Sequence, residues 1–405
     1  MLFLILVVSG IPFFSGIIKK TNLSNPIIVF NGIWFVCFIL YGIKLSKVYT
    51  NDISLKAGIC FLCMLLAYNL SFFISTRCKH TVVVSNIRLI KATTKYDYIK
   101  TLAIIWIFLI GVEVLYCKGF PLVWLISGRK GSYASFGIPS IHGFINSLSW
   151  FTLNILLIYY LDSRDKRIFK WGILINIVYF LLLARQSIMT EIIQLTTIYL
   201  LKRKVNIKKI GGLLVMTIVI FGIVGNIRTD PKHVLNTAKL SVDSVPFFFM
   251  GFVWVYMYMM TPIANMISAI DSWKTLYFGA ASLKAFLPTA IVNALGMKDV
   301  AINDYSYLIS QTYNVSTALL TPYFDFGIAG VFAFSMYIGW LGGKFWNDMN
   351  YGENEECAIC NYSIYLGIIA LTFFSNMLLS LPIVVQFFYT NILFKNYFGV
   401  TGEGE

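Results

Sequence analysis

Charge is what this sequence has least of. Asp, Glu, Lys and Arg make up 12% of its 405 residues, about half the ~25% share of a soluble domain. A chain this poor in charge cannot cover a water-facing surface. Histidine is scarce as well: His80, His142 and His233 lie far apart and no HxxxH pair occurs, so a histidine-built metal centre is not indicated. The seven cysteines include two CxxC pairs, Cys60/Cys63 in the apolar run GICFLCMLL and Cys357/Cys360 in ENEECAIC. Neither has a second pair nearby to complete a zinc site. Walker A, GxGxxG and GxSxG motifs are missing, which excludes the common nucleotide-driven and nucleophile-elbow chemistries. There is no internal repeat and no low-complexity tract. The N-terminal run MLFLILVVSGIPFFSGII has neither the basic region nor the cleavage site of a signal peptide, and is expected to be a retained first membrane helix.

What the chain has in abundance is apolar surface. Hydrophobic residues reach 58% and mean hydropathy is +0.76. A spanning helix needs about 20 apolar residues. Runs of that kind fall at about 2–18, 27–43, 53–75, 101–117, 143–161, 171–184, 186–201, 210–226, 327–347, 362–379 and 382–398. The expected fold is therefore all-α: one integral membrane domain over 1–405, a polytopic bundle of about 11 helices. The net charge of +14 fits cytoplasmic loops rather than nucleic acid, because Lys and Arg collect on the inner side. The odd loops carry that charge: Lys19 and Lys20; Arg77, Lys79, Arg88, Lys91 and Lys95; Arg164, Lys166, Arg167 and Lys170; Lys202 to Lys209. The even loops, including 118–142 and 227–326, then face outward. Within the second, 245–265 is apolar enough to span, but Pro246, Gly251 and Pro262 interrupt it. Its aromatics suit an interfacial or re-entrant helix.

Candidate functional residues lie on that outer side. Arg185 interrupts NIVYFLLLA and QSIMTEII. One helix over 171–201 would be about 46 Å long, too long for a core of about 30 Å, so the chain must turn near Arg185. Each arm is then too short to cross fully, and the guanidinium is recessed. A recessed charge needs a polar cavity, a substrate or a partner such as Glu191. In LISGRKGSYASFGIPSIHGF, Arg129 and Lys130 sit among glycines that let basic side chains close on a phosphate, with Tyr133 and His142 following. The alternative is an ordinary loop whose charges meet headgroups. Arg228 and Lys232 open the long outer loop in GNIRTDPKH. Asp325, in NVSTALLTPYFDFGIAG, is either a helix cap or a base or sugar ligand.

These three segments, LLLARQSIMTEI, GNIRTDP and NVSTALLTPYFDFGIAG, together with the hydropathy profile, resemble the bacterial O-antigen polymerases, the Wzy-type oligosaccharide repeat-unit polymerases. The resemblance implies a GT-C-like fold in the inner membrane. It also implies transfer of a growing glycan from undecaprenyl diphosphate to a new lipid-linked repeat unit at the periplasmic face, without metal or other cofactor. Arg185, Arg228 and Arg129 match the basic residues expected to hold diphosphates. His142 and Asp325 are the candidate bases, with Lys130, Tyr133, Lys232 and Glu191 around the substrate. Partners implied are the lipid-linked oligosaccharide, membrane lipids and a chain-length regulator protein; nucleic acid is not among them. Two other readings stand beside it: a lipid-linked oligosaccharide flippase, against which the lack of repeats counts, and an O-antigen ligase. The topology is directly testable. Cysteines placed at Lys130 and Val300 are expected to react with an impermeant thiol reagent from outside, and those at Ile90, Lys166 and Val205 are not; reaction at Val205 would invert the orientation.

Overall fold

The structure is a computed structural model that describes residues 1–19, 21–49, 52–78, 92–129, 135–203, 231–240, 245–246, 249–297, 306–309, 314–352 and 355–397, with isolated positions between 211 and 226. The described residues are all-helical. The helices are α1 (Leu2–Ile18), α2 (Pro26–Ile43), α3 (Leu55–Arg77), α4 (Ala92–Cys117), α5 (Pro121–Ile126), α6 (His142–Ser163), α7 (Phe169–Leu182), α8 (Arg185–Lys202), α9 (Pro231–Ala238), α10 (Met250–Ser272), α11 (Ala280–Phe286), α12 (Thr289–Ala294), α13 (Leu320–Tyr351), α14 (Glu355–Ala370) and α15 (Leu381–Tyr397). Among them, six are long and apolar enough to cross a membrane: α2, α3, the stretch from α4 into α5, α6, α10 and α13. Three more apolar helices, Leu2–Ile18, Glu356–Ala370 and Leu381–Phe394, are shorter. The chain is a multi-pass helical membrane protein.

Local sequence explains where several helices start. Asn25 accepts a hydrogen bond from the Ile27 N–H at 3.0 Å, with Pro26 at the first helical position. Ser54 does the same for Ala57 at 3.1 Å. Each satisfies a backbone donor that the helix itself leaves over. Hydropathy misjudged one end. The apolar run expected to span 362–379 is helical only to Ala370. Beyond it, Thr372 Oγ1 turns back to the Ile369 carbonyl at 2.8 Å, and Asn376 accepts from the Leu379 N–H at 3.3 Å. A hydropathy window does not see such side-chain turns, which compete with the helix ladder. Likewise α13 is two helices joined at Phe326 and Gly327, where φ and ψ leave the helical region.

Two apolar clusters form the interior. One joins α1–α3, α10 and α13 through Phe30, Trp34, Phe61, Tyr68, Met257 and Val331. The other joins α4, α6, α7 and α15 through Trp106, Phe151, Tyr179, Ile383 and Phe394. Helix α14 belongs to both: Tyr362, Tyr365 and Ile369 face the first, Cys360, Ile364 and Ile368 the second. A helix apolar all round is the kind that can be buried this way. Helix α13 runs tight against α3. A Cβ on Gly339 would lie 2.4 Å from the Tyr68 carbonyl oxygen, so only glycine permits this approach, as is usual where membrane helices touch.

Helix α10 covers the awkward segment 245–265. Ser54 Oγ donates to Asp271 at 2.6 Å, Tyr49 meets Thr261 at 2.6 Å, and Ser46 Oγ donates to the Ala238 carbonyl upstream of it. The α2–α3 loop thus lies beside the helix and is tied to both of its flanks. By length and composition this helix could cross a membrane, whereas hydropathy with Pro246, Gly251 and Pro262 suggests an interfacial or re-entrant segment. The opposite ends of the bundle gather charge: Lys202 pairs with Asp162 at 3.3 Å and Lys95 with Glu356 at 2.8 Å.

Several polar side chains inside the bundle occur in matched sets. Asn31 and Asn69 exchange hydrogen bonds of 2.7 and 3.1 Å. Gln194 and Gln386, both fully buried, exchange bonds of 3.0 and 2.7 Å, and Asn154 donates to Gln194 at 2.8 Å. Such bonds are worth roughly 0.6–2 kcal/mol between membrane helices. Gln194→Leu is expected to lower the melting temperature of the detergent-purified protein by stranding Gln386 and Asn154. Adding Gln386→Leu should recover part of the loss, since removing both partners is less costly than removing one; strictly additive losses would show that the pair is not coupled.

Candidate functional site

The best-defined polar constellation joins the end of α4 to the start of α6. Glu113, one turn before the end of α4, is fully buried. Its Oε2 lies 2.8 Å from His142 Nδ1, and its Oε1 accepts from the Ile138 N–H at 3.0 Å. On the other side of the ring, Asn146, one turn along α6, places Nδ2 3.0 Å from His142 Nε2. The carboxylate fixes the ring and favours the tautomer with the proton on Nδ1, which leaves Nε2 as the acceptor. An imidazole held so can take a proton from a hydroxyl that replaces the Asn146 amide, and the neighbouring carboxylate stabilises the cation formed. The His142 side chain is 19% exposed, so one edge is reachable.

Gly137 builds this arrangement. Its φ is +101°, and a Cβ there would lie 2.5 Å from His142 Cγ. Its N–H donates to Cys117 Sγ at 3.1 Å, drawing the loop over the end of α4. Sequence reading named His142 and passed over Glu113. The signal was present: Glu113 is an isolated acid inside the apolar run LIGVEVLY, and an ionisable group within a span marks function by default.

The chain turns at Leu183 and Ala184. Leu183 takes a left-handed conformation, φ 56°, and Ala184 precedes α8 without a side-chain cap. Arg185 is therefore the first residue of α8; its side chain lies outside the described residues, as do Lys130, Tyr133 and Arg228 entirely. The next residue, Gln186, donates to Met377 Sδ at 3.4 Å. Met377 belongs to the irregular segment 371–380, which ends on α15. There Ser147 of α6 donates to the Pro382 carbonyl at 2.5 Å. Helix α11 also packs on Met377–Leu379. The segment 371–380 and the first turn of α15 thus draw together the start of α8, the first turns of α6, and α11.

Asp325 belongs to the same neighbourhood in an unexpected way. It is fully buried, and its two oxygens accept from the Ala281 and Ser282 N–H groups, each at 2.9 Å. It caps α11, not the helix it opens in sequence. Arg129 stacks over Trp124 at 4.8 Å and donates to the Lys118 carbonyl at 3.0 Å. Lys232 is exposed on α9. Glu191 is separate from this group: it is buried and accepts from Asn176 of α7 at 2.8 Å. Among the described residues, no group of three or more His, Cys, Asp or Glu comes close enough to hold a metal ion.

No protein-family model matches the chain, and no curated protein or solved structure matches it either.

Two measurements follow from the geometry. Glu113→Ala strands the Ile138 N–H and frees the imidazole, and should cost about 1–3 kcal/mol of stability; Glu113→Gln, which keeps an acceptor for Ile138, should cost less. Thermal unfolding of the two variants checks the order, and equal losses would argue against the two-sided role of the carboxylate. Asp325→Ala removes two charge-assisted bonds, each worth about 1.5–3 kcal/mol, and is expected to deplete folded protein from the membrane, while Asp325→Asn, which keeps one acceptor, is partly tolerated. Wild-type abundance of the alanine variant would remove the capping role.

Proposed function

We propose that the chain is a glycosyltransferase of the O-antigen polymerase kind. It joins a growing glycan carried on a polyprenyl diphosphate to a new lipid-linked repeat unit at the outer face of the bacterial inner membrane. In this reading the bundle has about eleven helices in a GT-C-like arrangement. The observation that carries the proposal is that segment 371–380 and the first turn of α15 touch both α6, whose start bears His142 of the His142–Glu113 pair, and the uncapped start of α8. A helix start without a side-chain cap offers backbone N–H groups and a positive dipole end to an anion. Arg185 adds a guanidinium at that point, and its fork suits phosphate oxygens. The reaction needs both parts. His142 takes the proton from the acceptor hydroxyl as it attacks the anomeric carbon. Arg185 and the α8 start stabilise the departing diphosphate, an electrostatic contribution. Arg129 and Arg228 serve the lipid diphosphates in the same way, and Asp325 supports the site by holding α11.

The test is the polymer ladder of the host's lipopolysaccharide. Deleting the gene should leave one repeat unit on the core, whereas losing a flippase or a ligase leaves none. Arg185→Ala should abolish the ladder with membrane protein retained, and Arg185→Lys should restore little of it. His142→Ala should lower polymer formation by about 10²–10⁴, the usual contribution of a general base. A normal ladder from Arg185→Ala sinks the reading.

A further inference from the structure

A second surface lies away from that site. Helices α6, α7 and α8 border a groove of about 540 Å³ whose lining includes Leu153, Leu156, Phe169, Ile173, Ile177 and Phe180. It opens sideways: Ile173, Ile177 and Phe180 are 60%, 51% and 44% exposed, an apolar surface that lipid covers. Asn176 and Glu191 also line it, but they are hydrogen-bonded to each other at 2.8 Å, and the rest of the wall is apolar. Phe169, Ile173, Ile177 and Phe180 follow one another at three- to four-residue spacing along one face of α7. From Phe169 to Phe180 that face rises about 17 Å, close to half of a bilayer core of about 30 Å. The groove is therefore about as long as one leaflet's acyl chains are deep.

Charge distinguishes one end of this groove. The 3-10 turn Lys166–Ile168 runs directly into α7. Side chains three apart eclipse in such a turn, which puts Lys166 on the face of Phe169. Lys170 stands three residues before Ile173 and seven before Ile177, on the same face. Both acids of the α6–α7 connection are already taken: Asp162 pairs with Lys202 at 3.3 Å, and Asp165 with Arg167 at 2.8 Å. Among the described residues no carboxylate pairs with Arg164, Lys166 or Lys170, all three exposed; Lys170 Nζ lies instead over the Trp171 ring at 5.2 Å. Uncompensated positive charge at the end of a leaflet-deep apolar groove matches a lipid with an anionic head. A phosphatidylcholine head brings its own ammonium, which offsets the phosphate and is repelled by the lysines. We propose that this groove holds an anionic phospholipid, its phosphate at Lys166 and Lys170 and one acyl chain along α7. The site does not depend on the reaction proposed above, and its test reads binding alone.

The experiment uses the full-length protein in phosphatidylcholine nanodiscs and two probes, a phosphatidylglycerol and a phosphatidylcholine with the same photoreactive acyl chain. Mass spectrometry locates the crosslinks. One basic residue near the surface favours an anionic lipid about fivefold, so with two the phosphatidylglycerol probe should label α7 between Phe169 and Phe180 about thirtyfold more than its counterpart. The preference should shrink as salt is raised, because salt screens exposed charges. Lys166→Ala and Lys170→Ala should each lower phosphatidylglycerol labelling about fivefold, while Lys166→Arg, which keeps the charge, retains most of it. Arg77→Ala removes another exposed charge, at the end of α3 in the other cluster, and should change nothing. Ile177→Trp, which fills the groove and keeps both lysines, should reduce labelling by both probes. Equal labelling by the two heads, a preference that salt does not weaken, or an Arg77→Ala loss as large as that of Lys166→Ala would each overturn the proposal. So would capture of a second copy of the chain, in place of lipid, by a photoreactive residue set at Ile177.

Discussion

Hydrocarbon offers no hydrogen bonds, and a polar side chain carried into this bundle is costly unless it finds a partner within the protein. The interior is organised by that requirement. Asn31 meets Asn69. Gln194 meets Gln386 and Asn154. Glu113 meets His142 and the Ile138 N–H, and Asp325 meets two N–H groups of α11. Apolar packing supplies most of the attraction in the two clusters, but it specifies register poorly. The polar sets do the specifying, since a shift of one helix along another would strand donors and acceptors on both.

The same constraint separates structural from functional polarity. Gln194 and Gln386 satisfy one another in the interior. The His142 ring is positioned by a buried carboxylate and keeps one edge reachable. Glu191 is half satisfied: Oε1 accepts from Asn176, while Oε2 is buried without a hydrogen-bond partner. A buried group with every bond made rigidifies a fold, whereas one with a bond left over invites a ligand. By this measure the start of α6, with its partly exposed His142, is a place among the described residues that is prepared to bind something.

Segment 371–380 links these ideas to architecture. It interrupts what hydropathy presents as a helix and thereby lets α14 and α15 both enter the bundle. Its Met377 side chain meets the start of α8, Met377–Leu379 pack on α11, and the first turn of α15 that follows it meets α6. Irregular backbone at membrane depth is tolerated where protein or a cavity surrounds it, and here Thr372 and Asn376 supply the bonds that a ladder would otherwise make.

The sequence by itself determined the class of the molecule, because hydropathy and charge bias are sums over neighbours and need no knowledge of the fold. It also placed a turn near Arg185, since helix rise and bilayer thickness are fixed lengths. Tertiary structure alone decided the pairings. Glu113 reaches His142 across 29 residues, and Asp325 caps a helix that begins 45 residues before it in the chain. Local sequence presented Asp325 as the cap of its own helix and Glu113 as one more residue of a span. A hydrogen bond between distant segments belongs to two stretches of chain at once, and no window along one of them contains it.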